Sequence, residues 1–227
     1  GWGATLKSHW EPDEPVNGFE VENAHPRYRD AREAVASGDY DVLILTEMVE
    51  IRDAIKYFDS GDYLHRFARA AWEANPETRV YLYETWHPLN DPEGWLERVD
   101  LDLARYWEGE ILRRALAYEG MGRPIYLIPA GQVMARLVRE IEGGRAAPGL
   151  QSRADLFGDD IHLSDQGLYL VALVHYAVIH QRSPVGLPYA LERADGTAAD
   201  APDPEAAALM QEIVWQVVSA MPKTGLR

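Results

Sequence analysis

The 227-residue sequence contains no cysteine, and this absence excludes several kinds of chemistry. Without a thiol there is no disulfide framework, no thiolate metal site and no cysteine nucleophile. Basic residues are also scarce, since 22 Lys and Arg stand against 37 Asp and Glu and give a formal net charge of −15. Binding to phosphate groups needs clustered Lys and Arg, so the charge balance excludes a nucleic-acid partner. It also argues against docking to an anionic membrane surface.

Long apolar runs are missing as well. A membrane-spanning helix needs about 20 consecutive apolar residues, and the longest apolar run here, residues 168–179, is interrupted by His175. We therefore predict a buried helix at this place and no membrane span. No signal peptide is visible and the sequence opens on Gly1 without an initiator Met, so we expect that an N-terminal segment has been removed. The compartment and the oligomeric state stay open.

Three β-rich runs alternate with helix-length segments along the first two thirds of the chain. The runs are Asp41–Thr46, Arg79–Glu84 and Pro124–Pro129, and the first and third are almost continuously apolar. Such runs are typical of parallel strands that are covered on both faces. The intervening helical patterns lie at residues 27–37, 63–75, 92–118 and 132–142. This alternation predicts an α/β fold, a three-layer α/β/α sandwich with a mainly parallel sheet.

The last third of the chain predicts two helices joined by a loop. Ser164 is a favourable N-cap for a helix that runs to about Gln181. Residues 189–204 are acidic and rich in Pro, Gly and Ala, which predicts an acidic surface loop. Asp203 as N-cap and Pro204 at the first helical position then begin a C-terminal helix over residues 204–221.

Polar residues follow the predicted strands where an α/β sheet usually binds its ligand, beyond the carboxyl ends of the strands. Thr46 and Glu47 follow the first strand, and Trp86 and His87 follow the second. Trp86 and His87 are candidates for a pocket wall that stacks on a sugar ring or an acyl group. The Glu47 carboxylate is a candidate general base or metal ligand, because a set of Asp, His and Glu side chains suits a hard divalent cation. No local ligand spacing supports the metal interpretation.

The most informative polar cluster is the segment Gly158-Asp159-Asp160-Ile161-His162, directly before the predicted buried helix. An Asp three residues before a His can fold back so that its carboxylate accepts the imidazole Nδ1–H. The Nε2 atom is then free to act as a general base, and a serine brought near it would complete a nucleophilic triad. The alternative is that Asp159 and Asp160 only solvate a turn and that His162 packs at a helix entry.

The run DLFGDDIHLSDQGLYLVALVHYAVIHQRSPVGLP, residues 155–188, resembles the last block of the SGNH (GDSL-type) hydrolase family. In that block an Asp-x-x-His loop precedes the final helix. The resemblance implies a flavodoxin-like SGNH hydrolase domain in which Asp159 is the orienting acid and His162 the base. It covers most of residues 38–188, but only the Asp-x-x-His block is specific.

The sequence departs from the family at the nucleophile. The Gly-Asp-Ser-like motif that carries the family's serine is absent, and Thr46-Glu47-Met48-Val49 stands where Gly-x-Asn-Asp would supply an oxyanion Asn. The resemblance therefore implies a single domain over residues 1–227 that lacks the family's first β–α unit. Ser8 is a weak alternative nucleophile near a possible strand end. Its neighbour His9 is poorly placed as its base, because adjacent residues of an extended chain point to opposite sides.

The resemblance implies a carboxylic ester hydrolase, an esterase, lipase or carbohydrate deacetylase, with a small-molecule or glycan ester as substrate. The nucleophile is not identified, and we expect no cofactor. Two alternatives remain open. One is a non-catalytic SGNH-like domain that binds a carbohydrate or a protein, and the other is a metal-assisted hydrolase.

Overall fold

A computed structural model describes residues 3–11, 13 and 16–226. The fold is α/β, with a three-stranded parallel sheet flanked by helices, which confirms the predicted fold class. Strands β1 (Val42–Leu45), β2 (Arg79–Glu84) and β3 (Ile125–Pro129) lie side by side in that order. Val42 of β1 faces Arg79 of β2, and Leu45 faces Leu82.

The helices occupy the segments between and after these strands. Their bounds are α1 (Leu6–Trp10), α2 (Phe19–Glu22), α3 (Ala31–Ala36), α4 (Ile51–Phe58), α5 (Ser60–Ala74), α6 (Trp95–Asp102), α7 (Arg113–Leu116), α8 (Ala130–Glu140), α9 (Asp165–His180) and α10 (Pro204–Ala220). Short 3₁₀ turns cover Arg153–Leu156 and Pro222–Thr224, and π-helical segments cover Leu103–Leu112 and Ile141–Arg145.

Helix bounds differ from the prediction mainly near the start of the chain. Helix α3 begins later than predicted because Asp30 is its N-cap, with Oδ1 accepting the backbone N–H of Arg32 and Glu33. Helix α4 was not predicted. The segment around Ser8, expected near a strand end, is helical instead, so the argument from an extended chain does not apply there.

The predicted long helix over residues 92–118 is present as one continuous helical segment, α6 to α7, with a π-helical middle. In the π-helical part, a Cβ on Gly109 would lie 3.0 Å from the carbonyl oxygen of Ala104. A glycine permits this close approach of backbone within the wider turn.

The chain divides into two compact units. Unit 1 comprises Gly1–Glu84 and Leu101–Leu127, and unit 2 comprises Thr85–Asp100 and Ile128–Arg227. In unit 1, α5 packs on α3, on the α7 end of the long helix and on β1. In unit 2, α10 packs on α8 and α9. That residues 1–227 form a single domain stays a prediction.

Unit 2 also contains the segments that matter most below. Helix α9 begins at the predicted N-cap, since Ser164 Oγ accepts the backbone N–H of Gly167 at 3.3 Å. Residues 189–202 form no helix, and helix α10 follows with Asp203 Oδ1 accepting the Glu205 N–H. Within the described residues, no helix has both the length and the apolar character needed to cross a membrane.

Candidate functional site

Asp159 and His162 form a closed turn in unit 2. Asp159 Oδ1 accepts the backbone N–H of Ile161 at 2.8 Å and of His162 at 2.7 Å. Asp159 Oδ2 lies 2.8 Å from His162 Nδ1. One carboxylate therefore organises the backbone of the turn with one oxygen and orients the imidazole with the other.

The electrostatics of this turn fix the tautomer of the imidazole. The backbone N–H groups of His162 and Ile161, followed by the His162 ring, lower the pKa of the Asp159 carboxyl to about 2. An ionised carboxylate can only accept hydrogen bonds, so in the neutral imidazole the proton sits on Nδ1 and Nε2 keeps its lone pair. The His162 side chain is 80% exposed, so the imidazole is accessible from solvent.

Local packing holds the turn against the start of α9. Phe157 and Leu163 form an antiparallel bridge, and the Gly158 N–H donates to the His162 carbonyl at 2.8 Å. Gly167, in the first turn of α9, lies so close to the preceding segment that a Cβ would be 2.1 Å from the Leu156 carbonyl oxygen. The glycine thus lets residues 156–163 pack directly against the helix.

The segment between β2 and α6 also makes hydrogen bonds to this turn. The Trp86 indole N–H donates to the Ile161 carbonyl at 2.9 Å, and the Leu89 backbone N–H donates to the Asp160 carbonyl at 2.7 Å. The Asn90 amide donates to the Asp160 carboxylate at 2.9 Å. The Asn90–Asp160 contact joins residues 70 positions apart, so no local pattern in the sequence indicates it.

Trp86 and His87, predicted to line a substrate pocket, have identifiable structural contacts. Trp86 is half-buried and packs edge-on against Phe157, with ring centroids 6.4 Å apart. His87 is buried, and its carbonyl accepts the indole N–H of Trp95 at 2.9 Å. Contact with a substrate stays a prediction for both residues.

Thr46 and Glu47 lie in unit 1, after β1. Thr46 is exposed and its hydroxyl donates to the Tyr83 carbonyl at 2.8 Å. Glu47 is only 4% exposed, and its carboxyl oxygens accept the N–H groups of Leu6 at 3.3 Å and Met48 at 3.2 Å. Burial raises the pKa of Glu47 to about 7, against the opposing influence of the Ser60 hydroxyl and the two backbone N–H groups.

Ser8, the weak candidate nucleophile, takes part in a capping box at the start of α1. Its hydroxyl donates to the Thr5 carbonyl at 2.8 Å and accepts the Thr5 N–H at 2.9 Å. The side chain is buried. A nucleophilic role would require the hydroxyl to leave these contacts.

A metal centre would need several ligands close together. Across residues 3–11, 13 and 16–226, the fold assembles no group of three or more His, Asp or Glu side chains that suits a metal ion. Glu47, Asp159 and His162 therefore do not belong to such a group within the described chain.

The fold is similar to that of a protein of known structure. A DUF4886 family protein from Bacteroides uniformis shares this fold. Its crystal structure matches 99% of this chain and 85% of its own, with a TM-score of 0.58 and 16% sequence identity. At this identity the likeness shows the fold alone. No family model matches the chain, and no curated protein matches it. Membership of the SGNH hydrolases therefore stays a prediction.

Proposed function

We propose that Asp159 and His162 are the general-base pair of a serine ester hydrolase. The observation that carries this proposal is the 2.8 Å contact between Asp159 Oδ2 and His162 Nδ1 beside an exposed imidazole. An ionised carboxylate that holds the Nδ1–H tautomer is the arrangement that lets Nε2 accept a proton from a hydroxyl nucleophile.

The reaction would proceed through an acyl-serine. Nε2 of His162 takes the serine proton as the serine oxygen attacks the ester carbonyl, and the negative charge of Asp159 stabilises the imidazolium that forms. The tetrahedral intermediate expels the alcohol, which receives the proton from Nε2. A water molecule then attacks the acyl-serine carbonyl and gives a proton to Nε2. As the bond between the serine oxygen and the acyl group breaks, the serine oxygen takes this proton back from Nε2 and the carboxylic acid is released. We do not assign this serine to a numbered residue of the chain.

The exposure of the imidazole also bears on the substrate. A base with an 80% exposed side chain is accessible to an ester carried on a bulky molecule such as a glycan, as well as to a small ester. The geometry of the turn does not require the substrate to enter an enclosed pocket. We therefore propose small-molecule or glycan esters, including acetylated carbohydrate, as the substrate class.

The test combines active-site labelling with turnover. The parent chain and His162→Ala are treated with a fluorophosphonate, the labelled serine is mapped, and hydrolysis of p-nitrophenyl acetate and of an acetylated oligosaccharide is followed. His180→Ala is the matched control, because His180 is an exposed histidine at the end of α9 whose ring packs at a tilt against Tyr176. Loss of the base is expected to lower the rate by about 10²–10⁴-fold, whereas His180→Ala should match the parent.

The other outcomes contradict the proposal and separate its rivals. Equal rates in the parent and His162→Ala would exclude His162 as the base. A parent chain with neither a labelled serine nor turnover would exclude a serine nucleophile within residues 1–227. It would leave the carbohydrate- or protein-binding alternative, or a domain whose serine lies outside these residues. Turnover without a labelled serine that is abolished by a chelator would favour metal-assisted hydrolysis.

A further inference from the structure

The turn that carries Asp159 and His162 is internally complete but strongly exposed. All three hydrogen bonds made by Asp159 stay within residues 159–162. They join the imidazole to the carboxylate only while residues 159–162 keep this conformation, and they do not fix the direction of the whole turn. An exposed turn of this kind fluctuates unless other parts of the unit hold it.

Besides the Phe157–Leu163 bridge and the Gly158–His162 hydrogen bond at its base, the turn is held by contacts from residues 85–94. Trp86 and Leu89 donate to two consecutive carbonyls of the turn, those of Ile161 and Asp160, and Asn90 donates to the Asp160 carboxylate. Three hydrogen bonds therefore reach the two residues that lie between Asp159 and His162. We call Trp86, Leu89 and Asn90 the clamp.

The clamp is itself anchored in the interior of unit 2. Asp91 and Arg98 form an ion pair with an Nη1–Oδ2 distance of 2.8 Å, and both side chains are only 5% exposed. The indole N–H of buried Trp95 donates to the His87 carbonyl. The Asp91–Arg98 ion pair and the Trp95–His87 hydrogen bond both lie within a few residues of the clamp. The hydrogen-bond donors of the clamp therefore belong to a well-packed segment.

We propose that Trp86 and Asn90 are positioning residues, which hold the turn between Asp159 and His162 so that the Nδ1–H tautomer and the direction of Nε2 are maintained. This role rests on the general-base function proposed for His162. It assigns the Trp86 indole N–H to the clamp, whereas the sequence suggested only a pocket wall.

The test uses two clamp variants and one matched control. Trp86→Phe removes the indole N–H and keeps an aromatic ring, and Asn90→Ala removes the exposed amide. Trp72→Phe is the control, because Trp72 is a half-buried tryptophan of unit 1 whose indole N–H donates to the Thr78 carbonyl at 3.0 Å. Amide hydrogen exchange at Ile161 and His162 and the ¹⁵N shifts of the His162 ring are measured in each variant.

We expect exchange at Ile161 and His162 to accelerate by about two- to tenfold in each clamp variant, the change that one lost hydrogen bond typically causes. The ring shifts should move from the Nδ1–H tautomer towards a mixture. Trp72→Phe should change neither. If Trp86→Phe does not fold, the exposed Asn90→Ala variant still decides the question.

Unchanged exchange and unchanged ring shifts in a folded clamp variant would overturn the proposal, as would equal changes in Trp72→Phe. Both readouts are independent of catalysis. If they respond but hydrolysis does not depend on His162, the clamp stands and the hydrolase proposal fails. If hydrolysis depends on His162 but neither readout responds, only the clamp fails.

Discussion

At the scale of single residues, the Asp159 carboxylate determines the tautomer of the His162 imidazole. Its carboxylate accepts two backbone N–H groups and the imidazole N–H, and these contacts keep its pKa near 2. The carboxylate therefore stays ionised at every pH at which an esterase would be assayed. The Nδ1–H tautomer depends on that charge, because a neutral amide in its place can donate to Nδ1 instead.

The variant Asp159→Asn tests this dependence. An Asn side chain that donates to Nδ1 would move the proton to Nε2 and remove the base, so we expect kcat to fall by about 10²–10⁴-fold. Asp195→Asn is the matched control, since Asp195 makes a similar turn by accepting the Thr197 N–H at 2.9 Å and has no histidine beside it. A kcat in Asp159→Asn equal to that of the control would contradict the orienting role.

Individual residues also show which contacts can be predicted from the sequence and which cannot. A spacing of three residues in a loop predicts the Asp159–His162 contact, because a short turn brings such side chains together. The Asn90–Asp160 and Trp86–Ile161 contacts span 70 and 75 residues and depend on tertiary packing, which no local pattern encodes. The contacts of Glu47 with Leu6 and of Thr46 with Tyr83 were missed for the same reason.

At the scale of elements, the starts of α9 and α10 were predicted correctly from their caps, Ser164 and Asp203. Ser164 identifies the start of α9 because its hydroxyl accepts a first-turn N–H. Helix α4 lacks such a signal, since its N-cap residue Glu50 makes no side-chain capping bond and only Ile51 and Ala54 are buried. The sequence does not indicate the π-helical segment within the long helix either, because its apolar residues also fit an ordinary α-helix.

The contact between α9 and the segment before it gives a prediction for Gly167. A methyl group there would lie 2.1 Å from the Leu156 carbonyl oxygen, so Gly167→Ala must displace residues 156–163 or the start of α9. We expect a loss of stability of about 1–3 kcal/mol from this overpacking, together with weaker protection of the His162 amide from exchange.

The control for this prediction is Gly143→Ala, because a Cβ on Gly143 meets nothing within 4 Å and the backbone there has no positive φ. Urea unfolding and amide exchange are measured on both variants. A Gly167→Ala protein as stable as Gly143→Ala, with the parent's exchange pattern, would show that the close approach is not needed.

At the scale of the whole molecule, the alternation of strands and helices was enough to predict the fold class. The almost continuously apolar runs that form β1 and β3 are the pattern that indicates parallel strands. The division into two units was not predicted, since the long helical segment crosses from one unit to the other without any change of composition. Units of this kind are defined by contacts between residues that are distant in the sequence. A local sequence pattern does not predict such contacts.

The buried carboxyl of Glu47 should make the stability of the molecule depend on pH. Because burial raises its pKa from 4.5 to about 7, the folded state binds more protons than the unfolded state between these values. The free energy of unfolding should therefore be highest below pH 4.5 as far as Glu47 is concerned, fall as the pH rises to about 7, and stay constant above that. The loss amounts to about 3 kcal/mol.

Two variants isolate this effect from the general charge repulsion in a chain of net charge −15. Glu47→Gln cannot ionise, so its urea midpoint should change less between pH 5 and pH 8 than that of the parent. Glu50→Gln removes one negative charge from an exposed position and should retain the parent's pH dependence. If both variants follow the parent, Glu47 ionises in the folded state as it does in the unfolded chain, and its contacts with Leu6 and Met48 compensate fully for its burial.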